Sequence, residues 1–230
     1  MPRKAWRPIG GICYHVSSRG NLGAEVFHDA EDYEGFEVVL GEACEQVPVR
    51  VLGYCLLPAE YQLVLWPRAD GDLSRFMQWM LTTHVRRYRS RHGGAGHVWA
   101  GRYRACPVQQ DEHLRAVLRH VERGGLREGR VRRAENWAWS SLRWWVQPAE
   151  RPAFLHAGPV PRGAGWVAAV NRPLRKTEQE NLEACLKRGR PYGTPRWQKL
   201  TAAKLGLDHT LRPRGRPRKH PLQPARKAKK

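Results

Sequence analysis

Along residues 11–18, GICYHVSS, the apolar side chains Ile12, Tyr14 and Val16 alternate with smaller or polar positions, the two-residue period of a half-buried strand. The period then lengthens. In HDAEDYEGFEVVLGEACEQ, Tyr33, Phe36, Leu40, Ala43 and Val47 fall on one face of a helix that Asp29 caps, with Asp32 three residues on, and that Pro48 ends. Two strands are predicted next, Val49–Leu57 and residues 61–66, joined at Pro58-Ala59. A second helix begins near Leu73, with Leu73, Phe76, Met77, Met80, Leu81 and His84 on its apolar stripe and a series of arginines elsewhere. After the glycine-rich RHGGAGHVWAGRY a fourth strand runs through Val108, and a third helix, capped by Asp111, packs through Leu114, Val117, Leu118 and Val121. This order of elements predicts an α+β fold in which helices cover an antiparallel sheet.

The C-terminal third changes character. Residues 147–165, QPAERPAFLHAGPVPRGAG, are rich in Pro, Gly and Ala and read as a linker or long surface loop. Beyond them a helix carrying Leu182 and Leu186 ends at Gly189, and Thr194-Pro195 opens another whose Trp197, Leu200 and Leu205 are expected to pack it back. The division expected is therefore an α+β domain over 1–146, a linker over 147–170, a helical pair over 171–208 and a basic tail over 209–230. Such a pair is more often a docked appendage than a DNA-reading unit.

Charge sharpens this picture. The 230 residues carry a formal net charge of +20 and a pI near 10.6. Residues 186–230 hold 15 of the 41 Lys and Arg but only one of the 21 acids, Asp208, so a nearly balanced body bears a cationic tail. Nucleic acid is the expected partner. A membrane is not, because no apolar run approaches the roughly 20 residues a span requires. No apolar stretch follows the basic first residues as a secretory signal would, and the cytoplasm, in association with the nucleoid, is the expected location. The five cysteines are scattered without a CxxC pair and read as buried thiols.

The tail contains RPRGRPRKHP, residues 212–221, which has the pattern of an AT-hook. Arg214 and Arg216 can reach into a narrow A·T-rich minor groove from either side of Gly215, Pro217 keeps the backbone extended, and Arg218 and Lys219 supply phosphate contacts. The earlier RGRP at 188–191 is different, since Gly189 there serves as a helix C-cap and Pro191 as a stop.

YCLLPAEYQLVLW (54–66), GHVWAGRYRACPV (96–108) and NWAWSSL (136–142), in this order, resemble the REP-associated tyrosine transposases, relatives of the single-tyrosine HUH transposases. The resemblance covers about residues 5–146 and implies a ferredoxin-like palm, recognition of hairpin-forming single-stranded DNA, and cleavage by a tyrosine. It also implies Pro-Asn-His-Tyr-His at the end of the third strand, whose alternate histidines hold a divalent ion on one face. Here those positions are Glu60 and Gln62, a poor cage, so no cofactor is expected, with Mg²⁺ or Mn²⁺ the ions if the chain is active. The tyrosine position of the resemblance falls on His120 in HVERGG, where Gly124 and Gly125 replace Asn-Pro; an exposed helical histidine is usually a surface residue, and Tyr103 is the nearest alternative nucleophile.

Binding is expected to persist through Arg86, Arg87, Arg89, Arg91, Arg102, Arg104 and the tail, with Trp, Tyr and Arg able to stack on unpaired bases. Most of the tryptophans, among them Trp137, Trp139, Trp144 and Trp145, read as core. The sequence thus points to a transposase-family DNA-binding protein, capable of forming a homodimer, that has lost strand cleavage. Two alternatives are an active divergent transposase and a basic RNA-associated protein.

Overall fold

The structure, a computed structural model, describes residues 8–212. Arg214, Gly215, Arg216, Pro217, Arg218 and Lys219 lie outside the described residues. The predicted elements form as β1 (Cys13–Arg19), α1 (Ala30–Gln46), β2 (Val49–Leu57), β3 (Glu60–Pro67), α2 (Asp72–His92), β4 (Arg104–Val108) and α3 (Glu112–Glu122). Short helices α4 (Gly124–Arg127), α5 (Arg143–Val146) and α6 (Trp166–Asn171) follow, then α7 (Lys176–Arg188), α8 (Pro195–Leu205) and α9 (Asp208–Leu211). All four strands are antiparallel in the order β2-β3-β1-β4, the ferredoxin-like arrangement of a βαββαβ chain.

The capping residues act as their chemistry predicts. Asp29 accepts a hydrogen bond from the Asp32 amide, Asp111 from that of His113 and Thr194 from that of Trp197, while Gly189 ends α7 in the left-handed conformation.

Alternation along the strands divides the sheet into two faces. Tyr14 and Val16 of β1 and Tyr61, Leu63 and Leu65 of β3 point to one side, where Tyr33, Phe36, Leu40 and Ala43 of α1 and Phe76, Met77 and Met80 of α2 bury them. Cys13 of β1, Val64 of β3 and Cys106 and Val108 of β4 point to the other, under Leu114, Val117, Leu118 and Val121 of α3. Four of the five cysteines are buried and all five are free. Trp144 is buried, and Trp137 and Trp139 are half-buried against the same core.

Residues 147–170 are not a linker. Leu155, Val160, Trp166 and Val170 enter the core, and Arg162 has no exposed side-chain surface. The reason is a polar cluster that composition does not reveal. Glu122, the last residue of α3, is fully buried and receives bonds from Arg162 Nη1 at 3.1 Å, Trp166 Nε1 at 2.7 Å and Ser141 Oγ at 2.8 Å. Arg162 also donates to the Leu52 carbonyl and stacks 4.7 Å over Trp145 and 5.5 Å over Trp166. One irregular segment is thereby tied to α3 and β2 together.

The same C-terminal chain covers both sheet flanks. Leu155 bridges Val51 beside β2, with the His156 amide donating to the Val51 carbonyl at 2.8 Å. Tyr192 bridges Val108 beside β4, donating to the Pro107 carbonyl at 2.8 Å and accepting from the Gln109 amide at 2.9 Å. The helical pair is a docked appendage, though not wholly as expected: Leu205 is buried, whereas Leu200 is 63% exposed.

The adjacent glycines after α3 are steric necessities. A β-carbon at Gly124 would stand 2.6 Å from Cys55 Sγ, and one at Gly125 only 2.4 Å from Trp137 Cγ. Trp137 cannot yield freely, because its indole N–H donates to the Leu56 carbonyl at 2.9 Å. Gly125→Ala is expected to lower stability in urea by about 1–3 kcal/mol, the usual range for overpacking. Gly35→Ala, at an open helical position, is expected to raise it by about 0.5–1 kcal/mol, which makes it the control.

Candidate nucleic-acid interface

The face of the sheet that carries α3 is left open at one end, and there the strands and α3 enclose a cleft of about 870 Å³. Its floor follows from register. Ser17 pairs with Gln62 and with Arg104, and Arg19 pairs with Glu60, so His15, Ser17 and Arg19 of β1, Glu60 and Gln62 of β3 and Arg104 of β4 share one face. His120 and Arg127 close one side, Leu186 and Lys187 of α7 another, and Ala100 and Arg102 from the loop before β4 form a lip. That loop is pinned to the end of β1 through Ala100 N–H to the Arg19 carbonyl at 2.8 Å and Asn21 N–H to the Val98 carbonyl at 2.9 Å.

Glu60 and Gln62 satisfy each other and their neighbour. Gln62 Nε2 donates to Glu60 Oε1 at 3.0 Å, and Arg19 Nε donates to Glu60 Oε2 at 2.9 Å. Both carboxylate oxygens are thus committed, one to a full positive charge. A divalent ion at this pair would have to displace the guanidinium and accept a neutral amide as its second ligand, so these residues do not fit the metal that the transposase resemblance implies.

His120 is not the surface residue expected from its place on a helix. It is 7% exposed, its ring lies edge-on to His15 at 6.2 Å, and Arg127 Nη1 stands 3.3 Å from its Nε2 while donating to its carbonyl at 2.7 Å. Burial, reinforced by the charge of Arg127 and by His15, holds its pKa well below the ordinary value. The neutral imidazole accepts from Arg127, which occupies the lone pair a nucleophile would need. Tyr103 does not replace it, because it packs with the core on the α1 and α2 face while Arg104 turns into the cleft. Among the described residues, no tyrosine lines the cleft.

His15 is the notable group on the floor. It is 2% exposed, and its ring nitrogens make no well-formed hydrogen bond, Gln62 offering only a loose one. Burial pushes its pKa down to about 3, with the charge of Arg127 adding to the effect and the nearby Gln62 opposing it. Buried polar groups normally find partners, so such an imbalance at the base of a basic cleft suits a site that an incoming acceptor or donor completes.

The predicted arginines divide into two groups. Arg102 and Arg104 reach the cleft, with Arg102 5.8 Å over the Tyr103 ring. Arg86, Arg87, Arg89 and Arg91 belong to α2, across the sheet. Arg87 grips Glu42 at 2.7 and 2.8 Å, Arg91 is paired with Asp29, Glu31 and Asp32, Arg89 donates to the Gly96 carbonyl, and Arg86 is exposed. The structure does not bring them to the site. Sequence reasoning missed His15 and Arg127; alternation in CYHVSSR, which puts His15 on the face of Ser17 and Arg19, was the available signal for the first.

The sequence matches no protein-family profile and no curated protein. Among solved structures, a REP-associated tyrosine transposase bound to a REP hairpin is 13% identical, with a TM-score of 0.54 over 71% of this chain and 95% of that one. A Deinococcus radiodurans protein named as a transposase is 17% identical over 52% of this chain and 92% of that one, with a TM-score of 0.38, too low to carry weight. The fold, with its four-stranded antiparallel sheet, is similar to that of the REP-associated tyrosine transposase.

Proposed function

We propose that this protein binds hairpin-bearing single-stranded DNA in the cleft between β1, β3, β4 and α3, and does not cut it. The observation that carries the second half is the content of the cleft: Glu60 is paired with Arg19, His120 is engaged by Arg127, and no tyrosine among the described residues lines the wall. The first half rests on Arg19, Arg102, Arg104, Arg127 and Lys187, which outnumber Glu60, Glu128 and Glu183 around the opening. The solved structure of similar fold holds a REP hairpin, which favours DNA over RNA as the ligand. The Gly215-centred tail adds A·T-rich minor-groove contacts, and together they keep the protein on the nucleoid. Among the described residues, no helix is long and apolar enough to cross a membrane.

The test uses the full chain with a hairpin single strand, an A·T-rich duplex and a structured RNA, in Mg²⁺ and in Mn²⁺. Preference for the hairpin is expected, with no covalent adduct and no nicked product. Arg104→Glu should weaken hairpin binding about tenfold or more and reduce the slope of log affinity against log salt by about one. A protein–DNA adduct would overturn the claim that cleavage is lost, and equal affinity for all three nucleic acids would overturn DNA recognition.

A further inference from the structure

On the opposite face of the sheet, where α1 begins and α2 ends, three side chains of mixed chemistry converge. His28 stands immediately before the cap Asp29, Asp32 lies in the first turn of α1, and His92 is the last residue of α2. One ligand atom from each lies within 4.8 Å of the others. We propose that His28, Asp32 and His92 form a binding site for a divalent transition metal of the zinc class.

The arrangement has the parts such a site needs. The rings of His28 and His92 are 5.0 Å apart at 62°, and His92 Nε2 stands 2.7 Å from Asp32 Oδ1. Ligands around zinc at about 2.0–2.1 Å sit roughly 3.3 Å from one another, a contraction within the reach of side-chain rotation. Asp32 is 9% exposed and already oriented, because its other oxygen, Oδ2, accepts the His28 amide at 2.8 Å. That is the fixed carboxylate a metal centre requires from its surroundings. The metal would take the place of the direct His92–Asp32 contact.

Arg91 faces Asp29, Glu31 and Asp32, and its Nη1 donates to Asp32 Oδ1 and lies 3.5 Å from His92 Nε2. An ion would displace that contact, leaving Arg91 on Asp29 and Glu31, and, unlike the pair Glu60 and Gln62, would gain two imidazole ligands in exchange. Two imidazoles and one carboxylate select zinc, cobalt or nickel over calcium or magnesium, whose preference is for oxygen. Tyr88, whose hydroxyl is 3.2 Å from His28 Nε2, and water remain for a fourth position. The ion would pin the ends of α1 and α2 together and fix the point from which residues 93–101 depart toward the lip of the cleft. The site is independent of what the cleft binds.

The test strips the full-length protein with a chelator and titrates it with Zn²⁺ by calorimetry and with Co²⁺ by visible absorption, with melting followed in parallel. Stoichiometric uptake, the absorption bands of four-coordinate Co²⁺, and a rise in Tm reversed by chelator are expected. His28→Ala and His92→Ala should each weaken uptake by about tenfold or more. These positions are chosen over Asp32, which also holds the His28 amide. Absence of uptake, or uptake unchanged in the doubly substituted protein, would overturn the proposal.

Discussion

Glu122→Ala is expected to destabilise the protein by about 3–5 kcal/mol, the usual consequence of leaving a buried charge without its partner. The residue is fully buried, and its loss strands Arg162, also without exposed surface, and the Trp166 indole N–H. Arg162→Ala should fall in the same range, since it leaves the carboxylate uncompensated and removes the stacking between Trp145 and Trp166. Glu122→Gln keeps acceptors for Ser141 and Trp166 and should lose less than Glu122→Ala. The pair Glu122→Leu with Arg162→Met tests the cause: because no charge is left unpaired, its loss should be well below the sum of the single changes. Urea unfolding of the four variants reads this directly. Additive losses would show that shape, and not unpaired charge, dominates at the site.

Acid is expected to weaken the fold through the histidines of the cleft well before the carboxylates titrate. Unfolded, His15 protonates near its ordinary value of 6.5; folded, burial holds it at about 3. Between those values the unfolded chain binds a proton that the folded chain refuses. The contribution is therefore complete above pH 6.5 and is lost as pH falls, at about 1.4 kcal/mol per pH unit for this one group. His120 is shifted in the same direction by burial, and His84 on α2 is held at about 4 by burial. Surface carboxylates are ionised from pH 7 to 5, but His156 adds a loss of the same sign and the buried Glu122 and Glu37, pushed up by burial, oppose it, so the comparison with His15→Gln is what assigns the slope. Unfolding free energy measured at pH 7, 6 and 5 should fall steadily, and His15→Gln should flatten the curve. A slope that His15→Gln leaves unchanged would remove His15 from the account. Bound DNA should oppose the loss, because a phosphate favours the charged imidazole.

The parts of the fold legible in the sequence were those set by local rules. Alternation located β1, the caps Asp29, Asp111 and Thr194 fixed three helix starts, and Gly189 marked an end. The cleft was legible only where one strand supplied it, as with Glu60 and Gln62. His15 and Arg127 meet His120 from elements distant in the chain, and no local period announces such a meeting. The α2 arginines show the same limit from the other side. Their helical spacing excluded them from the apolar stripe, but nothing local indicated that Glu42 and the acids at the start of α1 would come to rest against them. Arg162 was hidden most completely, inside a Pro- and Gly-rich stretch with no period at all, because its burial depends on a carboxylate 40 residues earlier.

The residues that cover the sheet flanks, Leu155 and Tyr192, arrive late in the chain. During synthesis all four strands are present before either cover is made, so a chain interrupted before residue 155 leaves the backbone at Val51 and at Val108 uncovered, even with Ser140 already bridging Cys55 of β2. Exposed edge backbone is the hazard that native sheets avoid. Clumping of nascent or truncated chains is the expected result. In the completed protein a second copy cannot lengthen the sheet at these covered positions without first evicting Ser140, Leu155 or Tyr192.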